Sequence, residues 1–205
     1  KKVRDKVRNI PGYKSKFHTR IKGHSSGVAI YTKIKPQILF WGLGIEDGRE
    51  GRLIRMDFKD FILINAYAPN GHDKEILEHK HRFLKDLFNY CIALHQQGKN
   101  IILAGDLNVA HTTQDLYNPN YHGPGYLPEE IELFNKFIES GFVDTYRIFH
   151  PDEDGPYTWR SSRLRDYKIT GGFKFDYIFC NKELEKNITN AYILNYELSD
   201  HDQLF

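Results

Sequence analysis

Four stretches of the sequence place an acid, an amide, a phenol or an imidazole just beyond an apolar run. In "NIILAGDLNVAH" (residues 100–111), the apolar residues 101–104 and Gly105 lead into Asp106, and Asn108 stands two places further on. Residues two apart in an extended chain face one side. Asp106 and Asn108 therefore put an anion and an amide at the mouth of a sheet, where a metal, a water or a phosphate could be held. A carboxylate deep inside an apolar strand is costly without partners, but at a strand's end it looks into a cleft. Gly, Asp and Asn also build tight turns, and on this stretch alone that reading is equally good. Tyr67 ends "FILINAY" with Asn70 just after it, Asp176 lies in "FDYIF", and Asp200 and His201 follow "NYELS". A single residue of this kind usually caps a turn or pairs with an arginine. Four sites repeating Asp, Asn, Tyr and His point instead to chemistry, since an Asp can orient an imidazole and a second acid can hold a divalent cation. No Ser or Cys nucleophile stands out; "GHSSGV" (residues 23–28) has no apolar strand leading into it.

The elements that would carry these residues follow from hydrophobic periodicity. "GVAIYTK" (27–33) reads as a strand, and "RLIRMDF" (52–58) with "FILINAY" (61–67) as a hairpin. From Lys74 to Gln97 the pattern turns helical: Leu77, Leu84, Leu87, Cys91 and Leu94 make one stripe and Gly98 stops it. The run ending at Asp106 reads as a strand covered on both faces. Residues 111–127 are polar with Pro and Gly, hence loop. Pro128, Glu129 and Glu130 open a second helix, with Ile131, Phe134, Phe137 and Ile138 as its apolar face and Gly141 as its end. "FVDTY" (142–146), "YTW" (157–159), "FDYIF" (175–179) and "AYIL" (191–194) read as further strands. About eight strands and two main helices in mixed order predict an α/β fold of packed sheets flanked by helices.

The 205 residues suffice for one large domain, and 40% hydrophobic with 14% aromatic residues argues for a packed globule rather than a disordered chain. No apolar run reaches membrane-spanning length and no signal peptide is recognisable. Cys91 and Cys180 suit buried thiols in a reducing compartment, so an intracellular protein is expected. The net charge is only +2, but cations cluster: Lys1, Lys2, Arg4, Lys6, Arg8, Lys14, Lys16, Arg20, Lys22, Lys33 and Lys35 in the first 35 residues, then Arg160, Arg163, Arg165 and Lys168. Such clusters form either a polyanion-binding face or ordinary solvated surface.

In order along the chain, "IPGYKS", "SSGVAIYTK", "EGRLIRMDF", "INAYAPNG", "AGDLNVAHTTQDL", "GYLPEE", "FIESGFVDTYR", "YTWR", "FDYIF" and "SDH" together resemble the exonuclease III / abasic-site endonuclease family of the endonuclease–exonuclease–phosphatase superfamily. The resemblance implies a DNase I-like, four-layer α/β sandwich with two packed mixed sheets between helices. It implies a DNA-repair phosphodiesterase that uses Mg²⁺, with Mn²⁺ as a substitute. The substrate would be double-stranded DNA with abasic sites, cut on the 5′ side, or with blocked 3′ ends. The enzyme would be monomeric, without membrane contact, and cytoplasmic, or nuclear in a eukaryote. By the same resemblance Asp106 activates the attacking water, Asn108 hydrogen-bonds the phosphate, His201 donates to a phosphate oxygen and Asp176 holds its ring. Tyr67 contacts the phosphate or assists the leaving oxygen, Asn70 helps fix the backbone, and Asp106, Asn108 and Asp200 form the metal environment. Trp159, Phe173 and Phe175 line the apolar pocket for the base-free sugar; as plain strand aromatics they would belong to the core.

Family members begin with two strands, the second ending in a Glu that is the principal metal ligand, and this sequence opens past that point. It also stops within the expected last strand. The expectation is thus a single domain over residues 1–205, truncated at both ends and inactive by itself; were it active, Glu46, Asp47 and Glu50 would be the candidates for a substitute metal acid. Two other functions fit part of the pattern: a superfamily phosphatase, and a DNA-binding remnant that cuts nothing.

Overall fold

The computed structural model describes residues 5–20, 27–43, 50–160 and 172–205. In chain order the elements are α1 (Asp5–Arg8), β1 (Lys14–Thr19), β2 (Gly27–Thr32), β3 (Ile38–Trp41), β4 (Leu53–Asp57), β5 (Ile62–Tyr67), α2 (Lys74–Gln96), β6 (Ile101–Asp106), α3 (Pro128–Glu139), β7 (Phe142–Asp144), α4 (Thr145–Phe149), β8 (Trp159–Arg160), β9 (Gly172–Phe173), β10 (Asp176–Asn181), β11 (Ile193–Leu194) and β12 (Gln203–Leu204). Six strands form one mixed sheet in the order β3-β4-β5-β6-β10-β7. β4 and β5 are the expected hairpin. β5 and β6 run parallel. A parallel neighbour cannot be reached through a tight turn, so the chain crosses over through α2.

One face of the sheet is closed by helices. Leu84, Leu87 and Cys91 of α2 and Phe134 and Phe137 of α3 pack on Ile64, Leu103 and Phe179, and all of these are fully buried. Phe137 stacks on both Phe88 and Phe142. Asp73 caps α2, its Oδ1 accepting from the Ile76 amide at 2.9 Å, and Gly98 follows the helix at φ +75°. This is the α/β class and the helix-flanked mixed sheet read from the sequence.

The opposite face carries a second layer built from the ladder β1–β2 and from β12 of the ladder β11–β12, while the short ladder β8–β9 joins a separate cluster with Ala110, Leu116 and Phe175. Val28 and Ile30 of β2 pack on Ile54, Met56 and Phe58. Between β2, β12 and the face of β5, β6 and β10 runs a groove of about 380 Å³, lined by Leu63, Asn65, Ala104, Ile178 and Leu204 among others. Leu63, Ala104 and Ile178 are only half-buried there. Among the described residues β2 pairs only with β1, and β12 only with β11.

Several boundaries differ from the periodicity reading. β1 and β3 went unread because "KSKFHT" alternates with charge and "ILFW" is short and exposed. "FVDTY" is a strand only to Asp144, whose Oδ1 accepts from the Tyr146 amide at 3.0 Å and starts α4. β10 begins at Asp176 and runs on to Asn181, so Phe175 precedes it. β8 starts at Trp159 rather than Tyr157, and β11 at Ile193 rather than Ala191. Arg163, Arg165 and Lys168 of the second basic cluster, residues 23–26, Glu46 and Asp47 lie outside the described residues, as do Lys1, Lys2, Arg4 and Lys22. Cys91 and Cys180 are buried free thiols, as expected. No helix among the described residues is long and apolar enough to cross a membrane.

Candidate active site

Strand register builds the site. Asp106 is the last residue of β6, opposite Tyr67 in parallel β5 and opposite Asp176 in antiparallel β10. Three residues far apart in sequence thus end side by side at one rim of the sheet. The close approach at this rim requires Gly105. Its φ is +136°, and a Cβ there would sit 1.9 Å from the Ala66 carbonyl oxygen, so no side chain fits. Beyond Asp106 the chain is pinned on both sides: the Ala68 amide donates to the Asp106 carbonyl at 2.8 Å, and the Leu107 amide to that of Phe175 at 2.9 Å.

Asn108 takes the left-handed conformation at φ +54°, the one non-glycine residue to do so among those described. Its amide N–H donates to Asp106 Oδ1 at 2.9 Å, and its Nδ2 donates to the Ala68 carbonyl at 2.9 Å and to Asp106 Oδ2 at 3.1 Å. Both turn and site readings of this stretch are therefore correct: the turn is what locks the two polar side chains. Both Nδ2 hydrogens are engaged, which leaves Oδ1 as the atom Asn108 can offer to a ligand.

His201 reaches the same rim from the far end of the chain. The Arg160 amide donates to the Asp200 carbonyl at 3.0 Å and the Asp202 amide to that of Thr158 at 2.7 Å, with Trp159 and His201 paired between them. Thr158, itself buried, accepts the Phe175 and Asp176 amides on its hydroxyl at 2.9 and 3.0 Å. This splice sets His201 Nδ1 at 2.8 Å from Asp176 Oδ2.

The charges are strongly perturbed. Burial, then the Asp176 carboxylate, pushes Asp106 up from 3.8 to about 7 against the opposing pull of His201. Burial disfavours the charged ring of His201, but the hydrogen bond and charge of Asp176, with Asp106 and Asp200, outweigh it and raise the ring to about 9. Burial, then Asp106, raises the Tyr67 phenol, which stays protonated. The rim thus brings together a carboxyl raised toward neutrality, an imidazole raised to about 9 and a phenol raised above its ordinary value. Arg52 lies 5.4 Å over the Tyr67 ring and donates to the Tyr67 carbonyl at 3.1 Å.

Trp159, Phe173 and Phe175 do come together, with centroids 5.9, 5.8 and 4.8 Å apart. They share a cluster with Ala110, Leu116, Tyr121 and Tyr126. Phe175 is buried at 8% exposure, while Trp159 and Phe173 are partly open. Trp159 Nε1 donates to Asp200 Oδ2 at 3.3 Å, linking the aromatic wall to the acidic rim. Asp200 is exposed. Asn70 lies in the exposed loop after β5, its Oδ1 at 2.8 Å from His72 Nδ1. Glu50 is engaged by Arg52 Nε at 2.5 Å and His79 Nε2 at 3.1 Å.

The donors suit a hard divalent cation: Asp106, Asn108 Oδ1 and Asp200 are all oxygen ligands, and Asp106 stands opposite Asp176 in the strand register, a like-charge approach that a cation would relieve. Among the described residues no three Asp, Glu, His or Cys converge on one point.

The profile of the endonuclease/exonuclease/phosphatase family matches residues 4–201. The chain belongs to this family. An exodeoxyribonuclease of Bacillus subtilis (strain 168) is 36% identical over 179 residues, 84% of this chain and 70% of that protein. The DNA repair nuclease APEX1 of Danio rerio is 33% identical over 202 residues, 95% of this chain and 65% of that protein. The structure of an AP endonuclease from Archaeoglobus fulgidus superposes with a TM-score of 0.83 at 28% identity, over 96% of this chain and 82% of that one. The DNase I-like sandwich expected from the sequence is thus the fold of its structural neighbours.

Sequence reading missed three buried polar residues that hydrogen-bond to the segments around this rim. Lys80 interrupts the apolar stripe of α2 between Leu77 and Leu84, and Glu130 aligns with Phe134 and Phe137 on α3; both are completely buried. A charge inside an apolar stripe was the available signal. Thr158 gave none, because a buried hydroxyl and an exposed one look alike in sequence.

Proposed function

We propose that the protein is a DNA-repair phosphodiesterase that hydrolyses the backbone 5′ to abasic sites and trims blocked 3′ ends. One observation carries this reading: Tyr67, Asp106 and Asp176 lie in one register at the sheet's rim, with His201 held on Asp176. Phosphodiester hydrolysis needs an activated water, donors to the phosphoryl oxygens and a protonated group near the leaving oxygen. Asp106, poised near 7, takes the proton of the attacking water. His201, cationic at neutral pH, donates from Nε2 to a phosphoryl oxygen while Asp176 fixes its ring. Tyr67, kept neutral, donates to the phosphate or the leaving oxygen. Asp106, Asn108 through Oδ1, and Asp200 would hold Mg²⁺, or Mn²⁺ in its place; the ion would supply charge neutralisation on the phosphate. We assign Asn70 to the DNA-backbone side of the site.

The aromatic wall of Trp159, Phe173 and Phe175 supports abasic selectivity. A site without a base loses little stacking when extruded, and three clustered rings offer an apolar wall for the base-free sugar. We read residues 1–205 as part of a single monomeric domain whose second layer takes further strands in the groove between β2 and β12. The half-buried Leu63, Ala104 and Ile178 support that reading.

The test is incubation of the protein, in its natural sequence context, with a duplex carrying one abasic analogue. Incision 5′ to the lesion with Mg²⁺ and none with chelator is expected. Hydrolysis of small phosphate esters with intact DNA would make it a phosphatase instead. Salt-dependent DNA binding with no cutting in any metal would make it a binding protein.

A further inference from the structure

Beneath Asn108 lies a charged pair that the proposed chemistry does not use. Lys80 on α2 and Glu130 on α3 are each fully buried, with Nζ 2.6 Å from Glu130 Oε1. The same Nζ donates to the Asn108 carbonyl at 2.6 Å. Glu130 Oε2 accepts the Gly125 and Leu127 amides at 2.8 and 3.0 Å. Buried ion pairs are seldom better for stability than apolar residues of equal volume, and an apolar residue would continue the stripe of α2. The pair therefore needs another explanation, and its second contact provides one.

Asn reaches the left-handed region more readily than other non-glycine residues, but the conformation still costs energy and its persistence depends on what holds the flanking peptides. The amide and side chain of Asn108 are tied to Asp106 and Ala68, but those bonds do not engage its own carbonyl. Lys80 fixes that carbonyl from the helix side. Gly125 closes it from the other side: a Cβ there would contact the Asn108 oxygen at 3.4 Å, and the Gly125 carbonyl accepts the Ala110 amide at 2.7 Å. Glu130 thus joins both walls, holding Lys80 with one oxygen and the Gly125 loop with the other.

We propose that Lys80, seated by Glu130, is a positioning residue that keeps Asn108 in its left-handed conformation and thereby aims Asn108 Oδ1 and the Asp106 carboxylate at one point of the site. This rests on the nuclease reading for its effect on rate, but not for its effect on conformation.

The test uses the double variant Lys80→Met/Glu130→Gln. It removes both charges together and keeps a carbonyl acceptor for the Gly125 and Leu127 amides. Expected are cooperative melting, kcat on the abasic duplex lowered about 10- to 100-fold, and KM within about threefold of the parent. Introduced into an Asn108→Gly background, the same pair should lower kcat no further, because the residue it acts through is gone. NMR of the protein without substrate should show the Asn108 amide and Hα couplings leaving their left-handed values in the double variant. Unchanged couplings together with unchanged kcat would overturn the proposal, as would an equal loss in the Asn108→Gly background. Should the double variant fail to fold, Lys80→Gln/Glu130→Gln, with two amides facing each other, replaces it under the same criteria. If the parent itself cuts no DNA, the nuclease reading fails and the couplings alone decide on Lys80.

Discussion

Replacing Asp106 by Asn should stabilise the fold while destroying the activity, and by an amount that depends on pH. The carboxyl is raised from 3.8 to about 7, so the folded state resists its ionisation. At about 1.36 kcal/mol per pH unit, that withdraws roughly 4 kcal/mol once the group is ionised. The sign follows from linkage: below pH 3.8 the group is neutral folded and unfolded and costs nothing; between about 4 and 7 the unfolded chain ionises first and stability falls; above 7 the whole cost is present. Asn cannot ionise and escapes it. Against this, Asp106 Oδ2 accepts from Asn108 Nδ2 at 3.1 Å, and an amide turned to keep the Oδ1 contact sets N–H against N–H, at about 1–3 kcal/mol. The expected net gain at pH 8 is about 1–3 kcal/mol. For a chain of this size that is about 2–12 °C in melting temperature, shrinking to nothing or reversing at pH 4.5. Melting curves from pH 4.5 to 8 in chelator measure it. A difference that is flat with pH, or a variant less stable at pH 8, would refute the electrostatic account of this rim. Turnover in Mg²⁺ should fall by about 10²–10⁴ with DNA binding retained, as for a lost general base.

His201 gives the opposite profile. Its ring is raised to about 9, so the charge-dependent part of its pairing with Asp176 is fully present below pH 6.5 and is lost as pH rises through 9; His201→Ala should lower the melting temperature more at pH 6 than at pH 10. Phe173→Ala should weaken discrimination for abasic over intact duplex more than it slows processing of a blocked 3′ end, in parallel rate measurements; a sharp drop in melting temperature with selectivity unchanged would make Phe173 a core residue. Residues 1–205 alone, with the groove beside β2 uncovered, should melt less cooperatively and cut more slowly than the protein in its natural sequence context. Equal melting and equal rates would show that the groove needs no further strand.

Much of the fold was legible because the signals were local. The apolar runs of β5, β6 and β10, the stripe from Leu77 to Leu94 and the stops at Gly98 and Gly141 each need only a few neighbouring residues to be read. Polar residues at the ends of those runs were legible for the same reason, and the ordered motifs around them named the family. β1 and β3 were not, since alternation diluted by lysines, or four exposed residues, resembles loop. "FVDTY" was misread past Asp144 because the cap that turns it into α4 is one hydrogen bond, invisible to periodicity. What the sequence by itself determined is therefore which side chains stand at strand ends and which faces are apolar. The tertiary structure alone decided that Tyr67, Asp106 and Asp176 end in the same register, and that Thr158 delivers His201 to Asp176. It also decided that Lys80 and Glu130 meet beneath Asn108, and that burial and like charge lift Asp106 to about 7. Those outcomes depend on distances between residues tens of positions apart, and such distances exist only once the sheet has closed.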